Sequence, residues 1–447
     1  MVIQAKNSSI NGRIFRFSTP TILENLLLSM AGVFSTALVG TLGTTAFAAA
    51  SISVTMIEIF RAVFSGLTLG ATVAVAKQSD AAIPEQIAGI TLHILGINAL
   101  LGIGFGLLLG KNTGFILNLL FRKAPDVIHC AEVYLKIAST AVPFLAIDIS
   151  ISGCLRGKGD VKTPFYITAA VNVIQLLLGC LFIFVLQMDM QGAAAAYAVS
   201  IIVGALCKIY LLLFWKKSPI QIRHLPTLSM TTLRDICTVG LPSVFEQLMT
   251  KLAFLGMQIV TALISVPVLA GYNAANSFLR LIYCVTQGIE TTQVVLVNQC
   301  VGNNEIPAAR KYAYRTLVYT EILTIGISIF AFLATCPIIR FFCRGGDPET
   351  LQHGAHILRI MLFTVPLTSC FQGSQGVLKG CSDVKVIALG NVLGPWLLRI
   401  PMAYLLISRF EFGIYGLIIA CFTDYLARAL VYYLTMKKEH WITERID

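Results

Sequence analysis

The chain repeats itself, and each copy is built of long apolar segments. Pro20 opens one apolar run, and Pro242 opens an equivalent run 222 residues later. The segment 153–162 returns as 376–385, at an offset of 223 residues. A near-constant offset over many positions indicates an internal duplication. The fold must therefore consist of two similar halves.

Composition places both halves in a membrane. Hydrophobic residues make up 56% of the 447 residues and charged residues 12%, whereas a soluble domain carries about 25% charged residues. A helix of about 20 apolar residues crosses the lipid with its backbone hydrogen bonds satisfied. We therefore predict an all-α integral membrane protein with twelve transmembrane helices in two pseudo-symmetric six-helix lobes. The predicted spans are 15–42, 46–75, 87–110, 131–155, 163–186, 191–214, 237–264, 268–298, 312–337, 351–377, 385–408 and 413–436.

The distribution of Lys and Arg orients these spans. With the N-terminus in the cytoplasm, the loops and termini on that side carry 19 Lys and Arg residues, and the opposite side carries six. Cytoplasmic loops hold the excess of positive charge, so we predict cytoplasmic termini in a bacterial cytoplasmic (plasma) membrane. The predicted lobes are residues 1–215 and 237–447, joined by a cytoplasmic linker at 216–236.

The net charge of +11 does not indicate a nucleic-acid partner, because the basic residues lie at segment ends and not in one stripe. The twelve cysteines are scattered, mostly inside apolar runs, and no C-x-x-C pair occurs. This pattern is typical of buried apolar cysteines and not of a zinc site or a disulfide framework. We expect a monomer without a resident metal or cofactor, whose partners are membrane lipids and small lipophilic molecules.

Glu24 and Glu246 are the leading functional candidates. Each follows a proline by four residues, in or near an apolar span. A carboxylate in hydrocarbon costs several kcal/mol unless it is paired, hydrated or protonated. Such a group can exchange a proton, bind a monovalent cation or pair with a cationic substrate. The alternative is that both lie near the water interface and only accept hydrogen bonds. Lys251, five residues after Glu246, is poorly placed for an ion pair within one helix.

The other ionisable residues of the spans divide into pairs and single groups. Glu58 and Arg61, three apart, can neutralise each other as a structural pair, and Asp424 and Arg428, four apart, can do likewise. Asp148 has no acidic counterpart in the second copy, and this asymmetry suggests specialisation. The remaining candidates are Arg280, Glu290, Glu321 and Arg399.

The two repeated glycine segments close helix ends on the cytoplasmic side. Glycine permits a tight turn at a helix terminus, and Lys or Arg there favours the carbonyl end of the helix and the inner leaflet. The rival interpretation, a phosphate-binding loop, lacks the pattern G-x-x-x-x-G-K-[S/T]. The residues of these motifs are Gly153, Arg156, Gly157, Gly159 and Asp160 in the first copy, and Gly376, Gly380 and Asp383 in the second.

The sequence resembles the multidrug and toxic compound extrusion (MATE) transporters over nearly its whole length. The resemblance rests on Pro20, Val39-Gly40-Thr41-Leu42-Gly43, the segment 153–164, Asn172, Gly240-Leu241-Pro242, Gln299 with Gly302, and Asn391. It implies two six-helix lobes that form a V around a central cavity. It also implies efflux of amphipathic, often cationic, compounds in exchange for Na⁺ or H⁺.

One position departs from the family. Many bacterial members carry an aspartate in the first helix where this chain has Ser35. Glu24, Asp148 or another group of the first lobe then takes its place, or coupling has moved to the second lobe. The seventh helix of the family often carries a functional acid, and Glu246 matches that role.

We therefore predict a secondary antiporter that exports amphipathic, cationic small molecules in exchange for H⁺ or Na⁺, and not an enzyme. The nearest alternative is a flippase for lipid-linked saccharides from the same superfamily, which should need extra spans or a strongly cationic cavity. An integral membrane enzyme is a weaker alternative, because neither H-E-x-x-H nor a paired carboxylate cluster occurs. A channel is the third.

Overall fold

The fold is described from a computed structural model of the chain. The structure describes residues 37–79, 84–121, 125–158, 160, 162–214, 230–302, 305–344, 347–380 and 385–437, and scattered positions before residue 37. Within these residues the regular structure is helical and no strand occurs. The predicted all-α class is therefore confirmed.

The chain divides into two compact units. Unit I is Phe34–Ala262, and unit II is Met1–Val33 together with Leu263–Asp447. The helices of unit I are α1 (Thr44–Ser79), α2 (Pro84–Leu120), α3 (Pro125–Ser139), α4 (Val142–Gly157), α5 (Lys162–Cys180), α6 (Asp189–Phe214) and α7 (Met230–Ala262).

Unit II begins its described helices at Val266. They are α8 (Val266–Gly302), α9 (Ile306–Leu333), α10 (Thr335–Phe342), α11 (Pro348–Leu362), α12 (Val365–Gly380), α13 (Lys385–Leu393), α14 (Ile400–Ser408) and α15 (Gly413–Lys437). A π-helical turn, Gly394–Arg399, joins α13 to α14 within one span.

Most of the predicted spans are present as apolar helices. Seven described helices are long and apolar enough to cross a membrane, or up to nine when each bent pair is one span, and they correspond to nine predicted spans. The predicted spans 237–264 and 268–298 lie in α7 and α8, which are helical but more polar. Much of the first predicted span, 15–42, lies outside the described residues.

Helix α7 packs along α1 inside unit I, although its sequence belongs to the second copy. Glycines make the approach close: a Cβ on Gly66 would lie 2.5 Å from the backbone nitrogen of Val244, and one on Gly240 would lie 3.2 Å from the Cα of Leu67. The predicted lobe boundary at 216–236 stays a prediction, and the compact units divide after Ala262.

Two spans are broken at equivalent places in the repeat. Helices α3 and α4 meet at 56°, and α11 and α12 meet at 49°. In each case a Val-Pro pair, Val142-Pro143 or Val365-Pro366, begins the second helix. Proline has no N–H to donate and clashes with the preceding turn, which bends a helix.

The core of unit I lies where α1, α2 and α4 face one another. The branched and small side chains of these helices are almost fully buried there, and they fix the positions of the polar groups described below. The core residues include Ala71, Val75, Ile87, Ile90, Ile94, Ile151, Cys154 and Leu155.

Candidate functional site

The carboxylate of Glu58 lies between two cations at the contact of α1 and α7. Arg61 Nε approaches Glu58 Oε1 at 2.6 Å, and Lys251 Nζ donates to Glu58 Oε2 at 3.1 Å. The contact of Glu58 with Arg61 that their spacing allows is therefore present. The partner of Lys251 lies on another helix, which agrees with its poor placement towards Glu246.

Other polar side chains continue this contact along the two helices. Ser65 donates to Gln247 Oε1 at 2.6 Å, and Gln247 Nε2 donates to Ser243 at 3.0 Å. Glu58, Arg61 and Ser65 recur every three or four residues and so share one face of α1. The seam between α1 and α7 is therefore polar along one edge and glycine-packed along another.

Asp148 forms a second ion pair in unit I. Its Oδ1 accepts a hydrogen bond from Lys208 Nζ at 2.6 Å, and the same ammonium donates to Ser152 Oγ at 2.8 Å. The Lys208 side chain is 0% exposed and that of Asp148 is 20% exposed. Sequence reasoning missed Lys208, although a lysine inside the apolar run of α6 is itself a signal of a functional or paired group.

Glu246 lies on α7, one residue before the Gln247 of the seam, and its side chain is half-buried. Its backbone carbonyl accepts from Thr250 at 2.9 Å. The carboxylate makes no ion pair with a described residue. Its position near the seam is consistent with a coupling role but does not test it.

Unit II contains a buried carboxylate shared by two arginines. Asp424 Oδ2 accepts from Arg399 Nε at 2.7 Å and from Arg428 Nη2 at 2.7 Å. The Cζ atom of Arg399 lies 4.5 Å from the centre of the Tyr425 ring, and that of Arg428 lies 4.6 Å from the centre of Phe371. Aromatic faces thus complete the surroundings of both cations.

A glycine makes room for this cluster. A Cβ on Gly394, at the start of the π-helical turn, would overlap Asp424 Oδ1 and would lie 3.1 Å from Arg428 Nε. The spacing of Asp424 and Arg428 predicted their pairing. The sequence did not show that Arg399 joins them, because that contact crosses between two helices.

The remaining candidates of unit II are separate from this cluster. Glu290 Oε1 accepts from Lys379 Nζ at 2.8 Å, which ties α8 to α12. Glu321 Oε1 is buried without a hydrogen-bond partner among the described residues. Arg280 is exposed on α8.

The first glycine segment packs against α1. A Cβ on Gly153 would overlap Thr68, and one on Gly157 would lie 2.6 Å from the carbonyl oxygen of Thr72. Close packing, more than turn formation, therefore requires these glycines. Arg156 is exposed.

Asp160 has a capping role at the start of α5, since its Oδ1 accepts from the backbone N–H of Thr163 at 3.0 Å. In the second copy, a Cβ on Gly376 would lie 3.0 Å from Gln293 Oε1. Gly380 ends α12. Four predicted site residues lie outside the described residues: Glu24, Ser35, Gly159 and Asp383.

Comparison with known families decides the class of this chain. A sequence profile of the MatE family matches residues 20–181 and 242–405, one match in each copy. The chain belongs to the MatE family. MatE proteins are transporters and not enzymes, so the chain is a multi-pass membrane protein of a transporter family.

Named MatE relatives align over almost the whole chain. A probable multidrug resistance protein NorM of Thermotoga maritima is 24% identical over 96% of this chain and 93% of its own length. The probable multidrug resistance protein YpnP of Bacillus subtilis is 26% identical over 87% of this chain and 86% of its own length. The match is therefore not confined to one lobe.

Solved MatE-type structures confirm the fold. An inward-facing multidrug resistance MATE family transporter of the MOP superfamily matches with a TM-score of 0.84 at 18% identity, over 94% of this chain and 100% of that chain. A MOP superfamily transporter from Pyrococcus furiosus matches with a TM-score of 0.75 at 18% identity, over 96% of each chain.

Proposed function

We propose that the protein is a secondary antiporter that exports amphipathic, cationic small molecules in exchange for H⁺ or Na⁺. Membership of the MatE family supports transport, and relatives that are named multidrug resistance proteins support organic substrates. The proposal places the protein in a bacterial cytoplasmic membrane as a monomer with both termini in the cytoplasm. It includes no cofactor beyond the coupling ion.

The observation that carries the coupling part of this proposal is the bond from Lys251 to Glu58. It joins a helix of the second copy, α7, to a helix of the first, α1, through a carboxylate inside a membrane span. A proton or cation that neutralises Glu58 removes the attraction for Lys251 and Arg61. The contact between α1 and α7 therefore depends on the state of one ionisable group.

Coupling follows from that dependence. The ion favours the conformation in which the helix contact is loosened, and the substrate favours the conformation in which the carboxylate is ionised. Two ligands that prefer different conformations exchange with each other, because each lowers the affinity for the other by the same factor. Glu246, half-buried on the same helix, is the second candidate for the group that senses the ion.

Transport of a fluorescent lipophilic cation into inverted vesicles tests the proposal. Uptake is measured with a pH gradient alone and then with a Na⁺ gradient alone, and one of them should drive accumulation. We expect Glu246→Gln to abolish accumulation while the protein still inserts in the membrane. Glu132→Gln is the matched control, since Glu132 pairs with Lys136 on α3, away from the seam. Normal accumulation by the Glu246→Gln variant would remove that residue from the mechanism.

A further inference from the structure

Lys208 is a fully buried cation in the middle of an apolar span. Its side chain is 0% exposed, and α6 is one of the helices that is apolar enough to cross a membrane. A lone ammonium at that depth is costly, so its position must be fixed by the anion beside it. That anion is Asp148, whose Oδ1 lies 2.6 Å from Nζ.

The groups around the ammonium resemble the surroundings of a bound metal cation. Asp148 and Ser152 stand four residues apart on one face of α4 and both present oxygen atoms to Nζ. The Ser152 hydroxyl donates to the backbone carbonyl of Asp148 at 2.7 Å, which leaves its lone pairs for the ammonium. Oxygen atoms of this kind are the ligands that hard cations take in proteins.

The opposite wall of this position is also shaped for the carboxylate. Gly204 lies one turn before Lys208 on α6, and a Cβ there would lie 2.6 Å from Val171 Cγ2 and 3.5 Å from Asp148 Oδ1. Without a side chain at 204, α6 approaches closely enough for Lys208 to reach Asp148. The helix contact therefore places the ammonium where a free cation would otherwise bind.

The charged groups nearby disfavour a further metal cation. Arg61 of α1 and Arg156 of α4 interact electrostatically with Lys208 and add positive charge. The hydroxyl of Tyr197, on α6, lies beside the Arg61 guanidinium, and Arg61 is itself paired with Glu58. Asp148 is thus the anion of a region in which cations already predominate.

We infer that the Lys208 ammonium is a built-in cation at Asp148, which holds the position that Na⁺ would take there. Asp148 is 20% exposed and Lys208 is not, so a ligand that reaches the pair meets the carboxylate. A tethered ammonium competes at an effective concentration set by its helix and not by the medium. Only a proton or an organic cation then exchanges at Asp148, and transport is independent of Na⁺. The inference rests on the proposed antiport and specifies its coupling ion.

The first test measures transport in proteoliposomes of the purified protein. We expect a pH gradient to drive uptake of the fluorescent cation by the wild-type protein, and a Na⁺ gradient at clamped pH to drive none. Lys208→Met removes the ammonium and leaves Asp148 open to the medium, so Na⁺ should now stimulate uptake by about fivefold or more, the lower end of ordinary coupling between two ligands. Lys136→Met is the matched control, and it should behave like the wild type.

The second test needs no transport. The Tm of each variant in detergent is measured in NaCl and in choline chloride at equal ionic strength. NaCl should raise the Tm of Lys208→Met in a saturable manner, because a ligand that binds the folded state stabilises it. It should not raise the Tm of the wild type, of Lys208→Arg, or of the double variant Asp148→Asn/Lys208→Met.

The outcomes separate the inference from the proposed function. Uptake by neither gradient in the wild type would overturn the antiport proposal. Na⁺-driven uptake by the wild type that Asp148→Asn abolishes would overturn only the inference, and so would a folded Lys208→Met protein whose Tm ignores Na⁺. If Lys208→Met does not fold, Na⁺ dependence of Lys208→Gln decides in the same way.

Discussion

Replacement of Asp424 by asparagine should strongly destabilise the protein. Asp424 is 0% exposed, and the two arginines that share it, Arg399 and Arg428, are only 13% and 10% exposed. Asparagine keeps the volume but leaves two buried guanidinium groups without a counter-ion. Removal of one partner from a buried ion pair costs about 3–5 kcal/mol, which is about two to three and a half powers of ten in the unfolding equilibrium.

The assay is thermal unfolding of the purified protein in detergent, followed by the fraction that remains folded after heating. Glu132→Gln is the control, because Glu132 and Lys136 form a half-exposed pair four residues apart. Such a pair contributes about 0.3–0.5 kcal/mol. The Asp424→Asn protein should therefore lose its fold at a much lower temperature than the control.

A second variant separates charge from packing. In the Asp424→Asn background, Arg428→Gln removes one of the two uncompensated cations and should restore part of the lost stability, since residues in one network do not act additively. If Asp424→Asn and Glu132→Gln unfold at the same temperature, the buried arginines do not depend on this carboxylate and the reasoning is wrong.

Three further predictions concern the seam and the topology. Glu58→Gln should reduce cation uptake in vesicles because Lys251 loses its partner on α1, whereas uptake by Glu132→Gln should equal that of the wild type. Gly66→Ala should lower the Tm, at about 1–3 kcal/mol for overpacking, because its Cβ would lie 2.5 Å from α7; Gly104→Ala, with nothing within 4 Å, should not. A membrane-impermeant maleimide should label the exposed Cys336 from outside intact cells, in a variant without other cysteines; labelling only from the cytoplasmic side would reverse the predicted orientation.

Hydrophobic run length and the repeat offset predicted the class and most of the spans. They succeeded because lipid imposes one solution on the backbone, a helix whose length matches the membrane. The spans that contain α7 and α8 are the least apolar of the set, and they hold Glu246, Lys251 and Glu290. These polar residues weaken the hydropathy signal at the same positions where they indicate function.

Pairs within one helix were also predictable, because spacing of three or four residues places side chains on one face. Glu58 with Arg61 and Asp424 with Arg428 are examples. Bonds between helices, such as Lys208 to Asp148, were not predictable, because they depend on how two helices pack. Phe371, which replaces an acid in the second copy, packs its ring against a guanidinium, so the two halves have diverged in the chemistry of equivalent positions.

The paired Val-Pro breaks have a consequence for the origin of the molecule. Val142-Pro143 and Val365-Pro366 stand 223 residues apart, and each begins the second part of a bent span. One ancestral segment that already contained a broken helix accounts for both, so the kink is older than the two-lobed transporter. Its geometry then belongs to the single six-helix ancestor, and a synthetic homodimer of one repeat should inherit it twice.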